Sequence, residues 1–450
     1  MTRSPHPRLS RSLVAFAAGV LALWPVASRA QASGHTAQLE RFYDPVIVQT
    51  GRLFGPSDRR VSHYRLYALR DGRLAPIPYQ FDARDAHDAL LVGQATPGSE
   101  RFDSNDELVF MARDAGDRLV DPSPPAGADA LLEIEIVDPR DGARAWAYLA
   151  HVAGSVPARS SERYVTFDRA SNGVRSALYS GTYVQGTNNF ATFRVLPAAG
   201  GSGENLFRRV RVVVQPTFSL LIGSFSPLFT ESRFSVRIDG IKNGPVRAIR
   251  RVRQWLDLGR FFPKAPSGTT YTLFYEGFFE TPSVFKIPWL PLQALREFRF
   301  IGVTDFSAAG RDMVYWDPAN PRGLPLSDLH TPVVRDRDHE WYVVSGRGGT
   351  LMHVFEIPKA WLDWGVIRGT RLERPGATSS ATPRLLAPGY SLLHIPDIQK
   401  AGSYAMKMQF FVLRRRYRPG DELAPLARIR DPLETQVRWL PESAAASPGG

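Results

Sequence analysis

An acidic segment early in the chain has residue types and a spacing that suit the binding of a hard cation. Within the run 103–107, carboxylate or amide oxygens occur at four of five positions, and oxygen ligands are what Ca²⁺ takes. The candidate ligands are Asp103, Asn105, Asp106 and Glu107. The run lacks the glycine and the terminal glutamate of an EF-hand loop. Two interpretations stay open, a Ca²⁺ site and an Asx turn that leads into a strand at 108–111.

A second cluster, at residues 335–342, combines titratable side chains with aromatic rings. Proton abstraction needs a base near the proton that is removed and a cation that holds the developing charge. The candidate catalytic residues are Arg335, His339, Glu340 and Tyr342, and Trp341 is a candidate ligand-binding residue. In a strand, positions 339 and 341 would share one face and positions 340 and 342 the other, so only one pair can line a given cleft. The alternative is an edge strand that follows a solvated, charged turn.

Arginines gather near the end of the chain, where four of the five residues 414–418 are arginine. A strand of this composition cannot bury both faces, so it lies at a sheet edge or lines an anion-binding groove. Arg414 and Arg416 are therefore candidate ligand-binding residues. The alternative is a solvated edge that discourages aggregation between strands.

Two stretches, 218–229 and 261–300, are unusually apolar, and the second contains 11 aromatic residues. The inner faces of a large β-sandwich need such residues. Aromatic rings also line sugar clefts, and exposed apolar patches mark partner sites. Three interpretations stay open: a sandwich core, a sugar platform, and a surface that docks a lipid or protein partner.

Missing residues and motifs narrow the chemistry. The chain has no cysteine, which excludes disulfides, iron–sulfur ligation and a thiol nucleophile. No serine-hydrolase, zinc-protease or phosphate-loop motif occurs in the sequence. His353 belongs to an alternating segment at 350–358, and we interpret it as a core histidine rather than as a base.

Alternation of apolar and polar residues with a period of two dominates the chain, as in 131–137 and 234–238. This pattern is typical of half-buried strands. Turn dipeptides such as Asp71-Gly72 and Asp239-Gly240 separate the segments. The sequence therefore predicts a mostly β protein, in which a small N-terminal β-sandwich precedes a larger antiparallel β domain.

An unpatterned, polar segment near 155–161 predicts a boundary between these two parts. The predicted organisation is a signal peptide at 1–30, a β-sandwich domain at 36–155, a large β domain at 162–440 and a disordered tail at 441–450. The signal peptide follows from a basic start, an apolar run of 12 residues and small residues at the cleavage site. Because that run is shorter than the roughly 20 residues that span a bilayer, we expect a periplasmic or secreted protein with no transmembrane span.

The chain is basic, with a net charge of +12. Residues 1–30 hold four arginines and no acidic residue, so the expected mature chain retains +8. An excess of positive charge attracts anionic partners. For an exported protein these are acidic polysaccharides or lipid headgroups rather than nucleic acid.

A proline-flanked Gln-Phe-Asp at 80–82, followed by Asp-Glu-Leu-Val-Phe at 106–110, resembles the N-terminal β-domain of certain secreted bacterial proteins. In those proteins a comparable pattern precedes a galactose mutarotase-like β-supersandwich. The segment 232–255, with Asn-Gly-Pro-Val-Arg at 243–247, is similar to a hairpin of the same class, which includes polysaccharide lyases and sugar epimerases. The resemblance implies a supersandwich-like fold for 162–440 and, if the protein is an enzyme, β-elimination or sugar isomerisation.

These features together predict an exported envelope protein that recognises carbohydrate, including acidic polysaccharide, with catalysis left open. The alternative is a non-enzymatic accessory subunit of an envelope export or assembly system, which would dock a protein partner through 218–229 and 261–300.

Overall fold

The protein is mostly β, and its described strands pair antiparallel. The structure is a computed structural model that describes residues 36–53, 60–93, 100–120, 125, 127–220, 223–257, 267–287, 295–326, 333–335, 340–363, 365–372, 388–396 and 402–440. The predicted fold class is confirmed. The predicted signal peptide and C-terminal tail lie outside these residues.

Strands make up most of the regular structure along the chain. The earlier strands are β1 (Pro45–Gln49), β2 (Tyr64–Arg70), β3 (Arg73–Pro76), β4 (Tyr79–Asp82), β5 (Glu107–Met111), β6 (Ala130–Val137), β7 (Arg144–His151), β8 (Val165–Asp168), β9 (Gly173–Ser176), β10 (Tyr179–Tyr183), β11 (Phe190–Val195), β12 (Phe207–Leu220), β13 (Gly223–Phe225) and β14 (Phe234–Asn243). The later strands are β15 (Ala248–Leu256), β16 (Ser267–Phe274), β17 (Phe278–Ile287), β18 (Leu295–Phe306), β19 (Val314–Trp316), β20 (Leu324–Pro325), β21 (Val333–Arg335), β22 (Trp341–Gly346), β23 (Gly349–Glu356), β24 (Ile367–Leu372), β25 (Pro388–Pro396), β26 (Gly402–Leu413) and β27 (Glu434–Leu440). The described α-helices are α1 (Ala308–Arg311), α2 (Lys359–Asp363) and α3 (Leu423–Arg430).

Two sheets form a small β-sandwich. The three-stranded sheet has the order β1-β5-β4, and the five-stranded sheet has the order β27-β6-β7-β2-β3. Val48 and Leu108 of the first sheet share one buried core with Leu66 and Ile134 of the second. Alternate residues of β6 enter this core, as the period-two pattern predicts.

A nine-stranded sheet separates two further cores. Its order is β14-β15-β16-β17-β26-β23-β22-β19-β20. Met352 and Val354 of β23 pack with Val109 and Met111 of the three-stranded sheet. Leu351, which points to the other face of β23, packs in the core that includes the four-stranded sheet. Both faces of the nine-stranded sheet are therefore covered at β23.

The second face of this sheet is covered by two more sheets. The four-stranded sheet has the order β11-β10-β9-β8, and the six-stranded sheet has the order β13-β12-β18-β25-β24-β21. Phe218 and Leu295 of the six-stranded sheet pack against Phe355 and Met406 of the nine-stranded sheet. This layering is the larger antiparallel β-sandwich that the sequence predicts.

The last strand returns to the first sheet. β27 pairs with β6, with Glu434 opposite Val137 and Leu440 opposite Leu131. This strand lies in the range 162–440 that the sequence assigns to the large domain. The boundary near 155–161 stays a prediction.

The turn dipeptides have two outcomes. Asp71-Gly72 connects β2 to β3 with positive φ angles of 51° and 73° at its two residues, which is the turn that such a pair predicts. The prediction of a turn at Asp239-Gly240 is wrong, because both residues lie inside β14. The register of β14 against β15 shifts between Ile238 and Gly240, and a Cβ on Gly240 would collide with the carbonyl oxygen of Val92. Glycine marks a β-bulge at this point, where another backbone approaches closely.

Candidate functional site

The two motifs that carry the family resemblance meet in a buried ion-pair network, centred on Arg247. Its Nε and Nη2 lie 2.7 Å from Asp82, and Nη2 also donates to Glu107 at 2.7 Å. Nη1 donates to the Tyr275 hydroxyl at 2.9 Å. Lys242 adds a second cation 2.8 Å from Asp82. The acidic motif and the Asn-Gly-Pro-Val-Arg loop are therefore two halves of one junction between the three-stranded and nine-stranded sheets.

Local geometry supports this junction. The Gln80 side-chain carbonyl accepts the backbone N–H groups of Val246 and Arg247, at 3.1 and 2.9 Å. A Cβ on Gly244 would collide with the Gln80 amide, so the loop needs glycine at that position. Burial alone would raise the pKa of Asp82, but Arg247 and Lys242 outweigh it and hold that pKa below its usual range.

The candidate metal ligands have protein partners in this region. The Asp106 carboxylate accepts the backbone N–H groups of Arg84 and Asp103, at 2.8 and 3.1 Å, and burial raises its pKa against these hydrogen bonds. Glu107 accepts from Arg84 Nε at 2.9 Å as well as from Arg247. Asp103 Oδ1 accepts the backbone N–H of Asn105 at 3.3 Å, which is the Asx-turn geometry. Across the described residues, no group of three or more His, Asp or Glu side chains is arranged to hold a metal ion. The Ca²⁺ site stays a prediction.

The candidate catalytic residues lie on different elements. Arg335 ends β21 of the six-stranded sheet, and His339 lies outside the described residues. Glu340 accepts a hydrogen bond from Arg430 at 2.5 Å. Tyr342 packs on the side of the four-stranded sheet, and Trp341 packs in the opposite core. The opposite orientation of these two neighbours agrees with the alternation predicted from sequence.

The remaining candidates for ligand binding, Arg414 and Arg416, follow β26 and are exposed. The Arg414 guanidinium lies 4.8 Å from the centre of the Phe42 ring. The large apolar side chains that are exposed within the described residues are Ile47, Val120, Val184, Phe225, Val284 and Leu423. They come from six separate segments, and the docking surface stays a prediction.

An apolar cavity of about 280 Å³ lies between the nine-stranded and six-stranded sheets. Phe298 and Phe300 line it from β18, and Phe279 and Phe410 line it from β17 and β26. Part of the aromatic stretch 261–300 therefore lines this cavity. Phe274 and Phe279 of the same stretch pack in the buried core, and Phe279 does both. Gln254, Thr270 and Ser283 form a short polar stripe in the cavity wall.

The side chains of that stripe are hydrogen-bonded to one another, and the neighbouring His353 is buried. Thr270 Oγ1 accepts from Gln254 at 3.0 Å and exchanges a hydrogen bond with Ser283 Oγ at 3.0 Å. The His353 ring lies 5.0 Å from the ring of Tyr342 and stacks on Phe410 at 4.4 Å. Burial lowers the pKa of His353 to about 3, so this side chain is neutral at physiological pH.

A cationic pocket adjoins the apolar cavity, and the two share Thr187 and Val236 in their linings. The pocket has a volume of about 310 Å³. Its lining consists of Arg169, Asn172, Gln185, Gly186, Thr187, Val236, Arg237, Ile238 and Arg250. None of these described lining residues is acidic. The pocket is formed by the β8–β9 and β10–β11 loops of the four-stranded sheet and by the edge hairpin β14–β15.

Arg250 forms the floor of the cationic pocket and is only 1% exposed. Its Nη1 donates to the Asn188 side chain at 2.5 Å, and its guanidinium lies 4.3 Å from the centre of the Tyr183 ring. Within the described part of the chain it has no carboxylate partner, and its buried Nε donates no hydrogen bond. Burial lowers the pKa of Arg250, and Tyr183 opposes that effect only in part.

Two further arginines lie at the rim of this pocket. Arg169 is exposed and forms no ion pair with any other described residue. Arg237 pairs with Asp239 through Nε at 3.0 Å. Among the described residues, the arginines of the pocket without a carboxylate partner are therefore Arg250 on its floor and Arg169 at its rim.

Asn172 supplies an acceptor in the same pocket. It is 6% exposed and adopts a left-handed conformation, with a φ of 49°, which asparagine tolerates. Its Nδ2 donates to the Tyr183 carbonyl at 3.4 Å. Among the described groups, nothing donates a hydrogen bond to its buried Oδ1. The lining of the pocket thus includes one buried cationic side chain, Arg250, and one buried acceptor, Asn172 Oδ1.

Sequence reasoning missed Arg169, Arg237 and Arg250 as site residues. A signal for Arg250 was present, because alternation in β15 puts this arginine on the same face as Ala248 and Val252, both of which are buried. A charged residue on a buried strand face needs either a partner or a function.

The fold is that of an antiparallel β-sandwich protein, and the cationic pocket is its candidate site. The chain matches no family model and no curated protein. It is similar to an alpha-mannosidase from Enterococcus faecalis, with 11% identity and a TM-score of 0.47, over 91% of this chain. The chain spans only 45% of that mannosidase's length. The Slr1438 protein from Synechocystis sp. PCC 6803 is similar over 58% of this chain and 98% of its own, with 10% identity and a TM-score of 0.33. Neither similarity assigns an activity to this chain.

Proposed function

We propose that the protein is an exported envelope or secreted protein that binds carbohydrate bearing acidic groups, in the cationic pocket. The observation that carries the proposal is the buried Arg250, which has no carboxylate partner within the described residues and lines the same pocket as Asn172, whose buried Oδ1 accepts no hydrogen bond there. The basic N-terminal signal pattern supports export, and the net charge of the chain supports an anionic partner.

The charge distribution of the pocket favours an anion. Removing a guanidinium from water is unfavourable by several kcal/mol unless a counter-charge compensates. Arg247 shows the usual solution in this protein, because two carboxylates surround it. Arg250 is equally buried and has no such carboxylate among the described residues, so a bound anion would supply the missing charge. A planar guanidinium binds a carboxylate through two parallel hydrogen bonds.

The polar groups favour a sugar acid over a simple anion. A deprotonated inorganic anion or carboxylate can accept hydrogen bonds from the arginines but gives Asn172 Oδ1 nothing to accept. A uronic acid has hydroxyl groups that donate as well as a carboxylate that accepts. Gln185 and Thr187 at the rim provide further partners for hydroxyl groups. The volume of the pocket is at the lower end of the roughly 300–1,000 Å³ of small-molecule sites, which suits one or two sugar rings.

Thermal unfolding with a galacturonic acid trimer and with its methyl ester tests the proposal. The two probes share one skeleton and differ in charge. At 100 times its Kd, a ligand specific for the folded state adds about 2.7 kcal/mol to stability, which raises the unfolding midpoint. We expect this shift for the acid and not for the ester, and we expect added salt to reduce it. Equal shifts for both probes, or no shift for either, would contradict the proposal.

A further inference from the structure

We infer that the ligand is an acidic saccharide joined to a single hydrocarbon chain, with the chain bound in the apolar cavity. This inference rests on the proposed function, because the cationic pocket takes the acidic head. It adds a second binding site and a class of ligand, an anionic glycolipid, that the pocket alone does not indicate.

The position of the cavity is the first argument. Thr187 and Val236 belong to both linings, so the cavity and the cationic pocket adjoin each other at these residues. Arg250 lines the cationic pocket, and it donates a hydrogen bond to Asn188, which lines the apolar cavity. A molecule that places a carboxylate against Arg250 therefore has an apolar space next to its head.

The size and lining of the cavity are the second argument. An apolar cavity of about 150 Å³ binds benzene, so by proportion the 280 Å³ of this cavity accommodates roughly ten carbon atoms. Most of the lining is apolar, and three of its polar side chains, Gln254, Thr270 and Ser283, are joined by hydrogen bonds through Thr270. A mostly apolar wall favours a hydrocarbon chain over a second sugar, whose hydroxyl groups would lose hydrogen bonds to water there.

Isothermal titration with three probes separates the contributions of head and chain. Dodecyl β-glucuronide carries both, methyl β-glucuronide carries the acidic head alone, and dodecyl β-glucoside carries the chain on a neutral head. All are used below their micelle concentrations. We expect dodecyl glucuronide to bind at least about 100-fold more tightly than either of the others.

The alternatives have different consequences. If methyl glucuronide binds as tightly as dodecyl glucuronide, the inference is overturned while the proposed function stands. If dodecyl glucoside binds as tightly as dodecyl glucuronide, the acidic head is not recognised, and both fail. Binding of none of the probes also overturns both.

A variant that fills the cavity tests the location of the chain. Val212 lines the cavity from β12 and is half-buried, and Ser235, on β14, is exposed and outside the lining. We expect Val212→Trp to weaken dodecyl glucuronide at least tenfold and to leave methyl glucuronide unchanged, and Ser235→Trp to alter neither. If Val212→Trp binds dodecyl glucuronide normally, the chain does not lie in this cavity.

A chain-length series keeps the inference testable if Val212→Trp does not fold. Each buried methylene contributes about 0.8 kcal/mol, that is about fourfold in affinity. We expect alkyl glucuronides to gain affinity at this rate from butyl to about decyl and then to level off, because the cavity is full. Affinity that does not depend on chain length overturns the inference.

Discussion

Replacement of Arg250 by methionine is expected to abolish binding of acidic saccharide without destabilising the fold. The same replacement at Arg247 is expected to destabilise the fold strongly. The two arginines are a matched pair, because both are 1% exposed and lie within four residues of each other along the chain. They differ in their partners: Arg247 contacts two carboxylates, and Arg250 contacts none within the described residues.

The contacts allow an estimate for Arg247→Met. Breaking a buried ion pair by removing one partner costs about 3–5 kcal/mol. Asp82 would keep Lys242 at 2.8 Å, and Glu107 would keep Arg84 at 2.9 Å. Because each carboxylate retains one cation, we expect a loss at the lower end of that range, about 3 kcal/mol of unfolding free energy.

The estimate for Arg250→Met has opposing contributions. The variant loses hydrogen bonds to the Asn188 side chain and to the Thr187 carbonyl, each worth about 1 kcal/mol. The contact with the Tyr183 ring, worth about 0.5–2 kcal/mol, is lost as well. It also relieves the desolvation of a guanidinium without a counter-charge, which is unfavourable by several kcal/mol. We expect a change within about 1 kcal/mol of zero, or a gain in stability.

Equilibrium urea unfolding, followed by both tryptophan fluorescence and circular dichroism, measures the two changes. Titration with the galacturonic acid trimer then measures binding, which we expect Arg250→Met to weaken at least about 30-fold. Arg253→Met, at an exposed arginine paired with Asp239 at 3.1 Å, is the control and should change stability by less than about 1 kcal/mol. A loss of stability in Arg250→Met as large as in Arg247→Met would refute the reasoning, because Arg250 would then be a structural residue.

Three further predictions concern the fold. Gly244→Ala should destabilise the protein by about 1–3 kcal/mol, because the new methyl group overlaps the Gln80 amide; Gly154→Ala, where no atom lies within 4 Å, is the control in the same urea assay. Burial raises the pKa of Asp114 to about 6, so the folded state keeps a proton that the unfolded state loses near pH 3.9. The unfolding free energy should therefore fall by about 2–3 kcal/mol as pH rises from 4 to above 6, and Asp114→Asn should remove this fall; an unchanged profile would contradict it. The pKa of His353, lowered to about 3, predicts a pH dependence of opposite sign. The unfolding free energy should decrease by about 3 kcal/mol from pH 6.5 to 4, because only the unfolded state binds the proton in this range. His353→Phe should lessen that loss in unfolding experiments over the same pH range.

The local sequence pattern predicted where strands and turns lie, but it did not predict the β-bulge at Gly240. The alternation in 131–137 and the Asp71-Gly72 pair depend on neighbours in sequence, and both predictions are confirmed. The bulge at Gly240 depends on the backbone of Val92, which lies about 150 residues away in the chain. The local sequence does not distinguish a glycine that allows a turn from a glycine that allows the backbone of a distant segment to approach closely.

The site could be predicted only in part for the same reason. The acidic motif was recognised as a cluster of oxygen ligands, but the partners of Asp82 and Glu107 on Arg247 lie 165 and 140 residues away in the chain. Because of that distance, the sequence pattern could not predict that Asp82 and Glu107 form ion pairs with Arg247. For Arg250, the alternation in β15 does predict a position on a buried strand face. That no described carboxylate pairs with it depends on how β10 and β15 pack, which the local pattern does not give.

A crystal structure of the mature protein with the galacturonic acid trimer tests the central claim most directly. We expect a carboxylate about 2.7–2.9 Å from the Arg250 guanidinium and a sugar hydroxyl that donates to Asn172 Oδ1. A trimer bound elsewhere on the surface, or no bound trimer at concentrations that shift the unfolding midpoint, would contradict it.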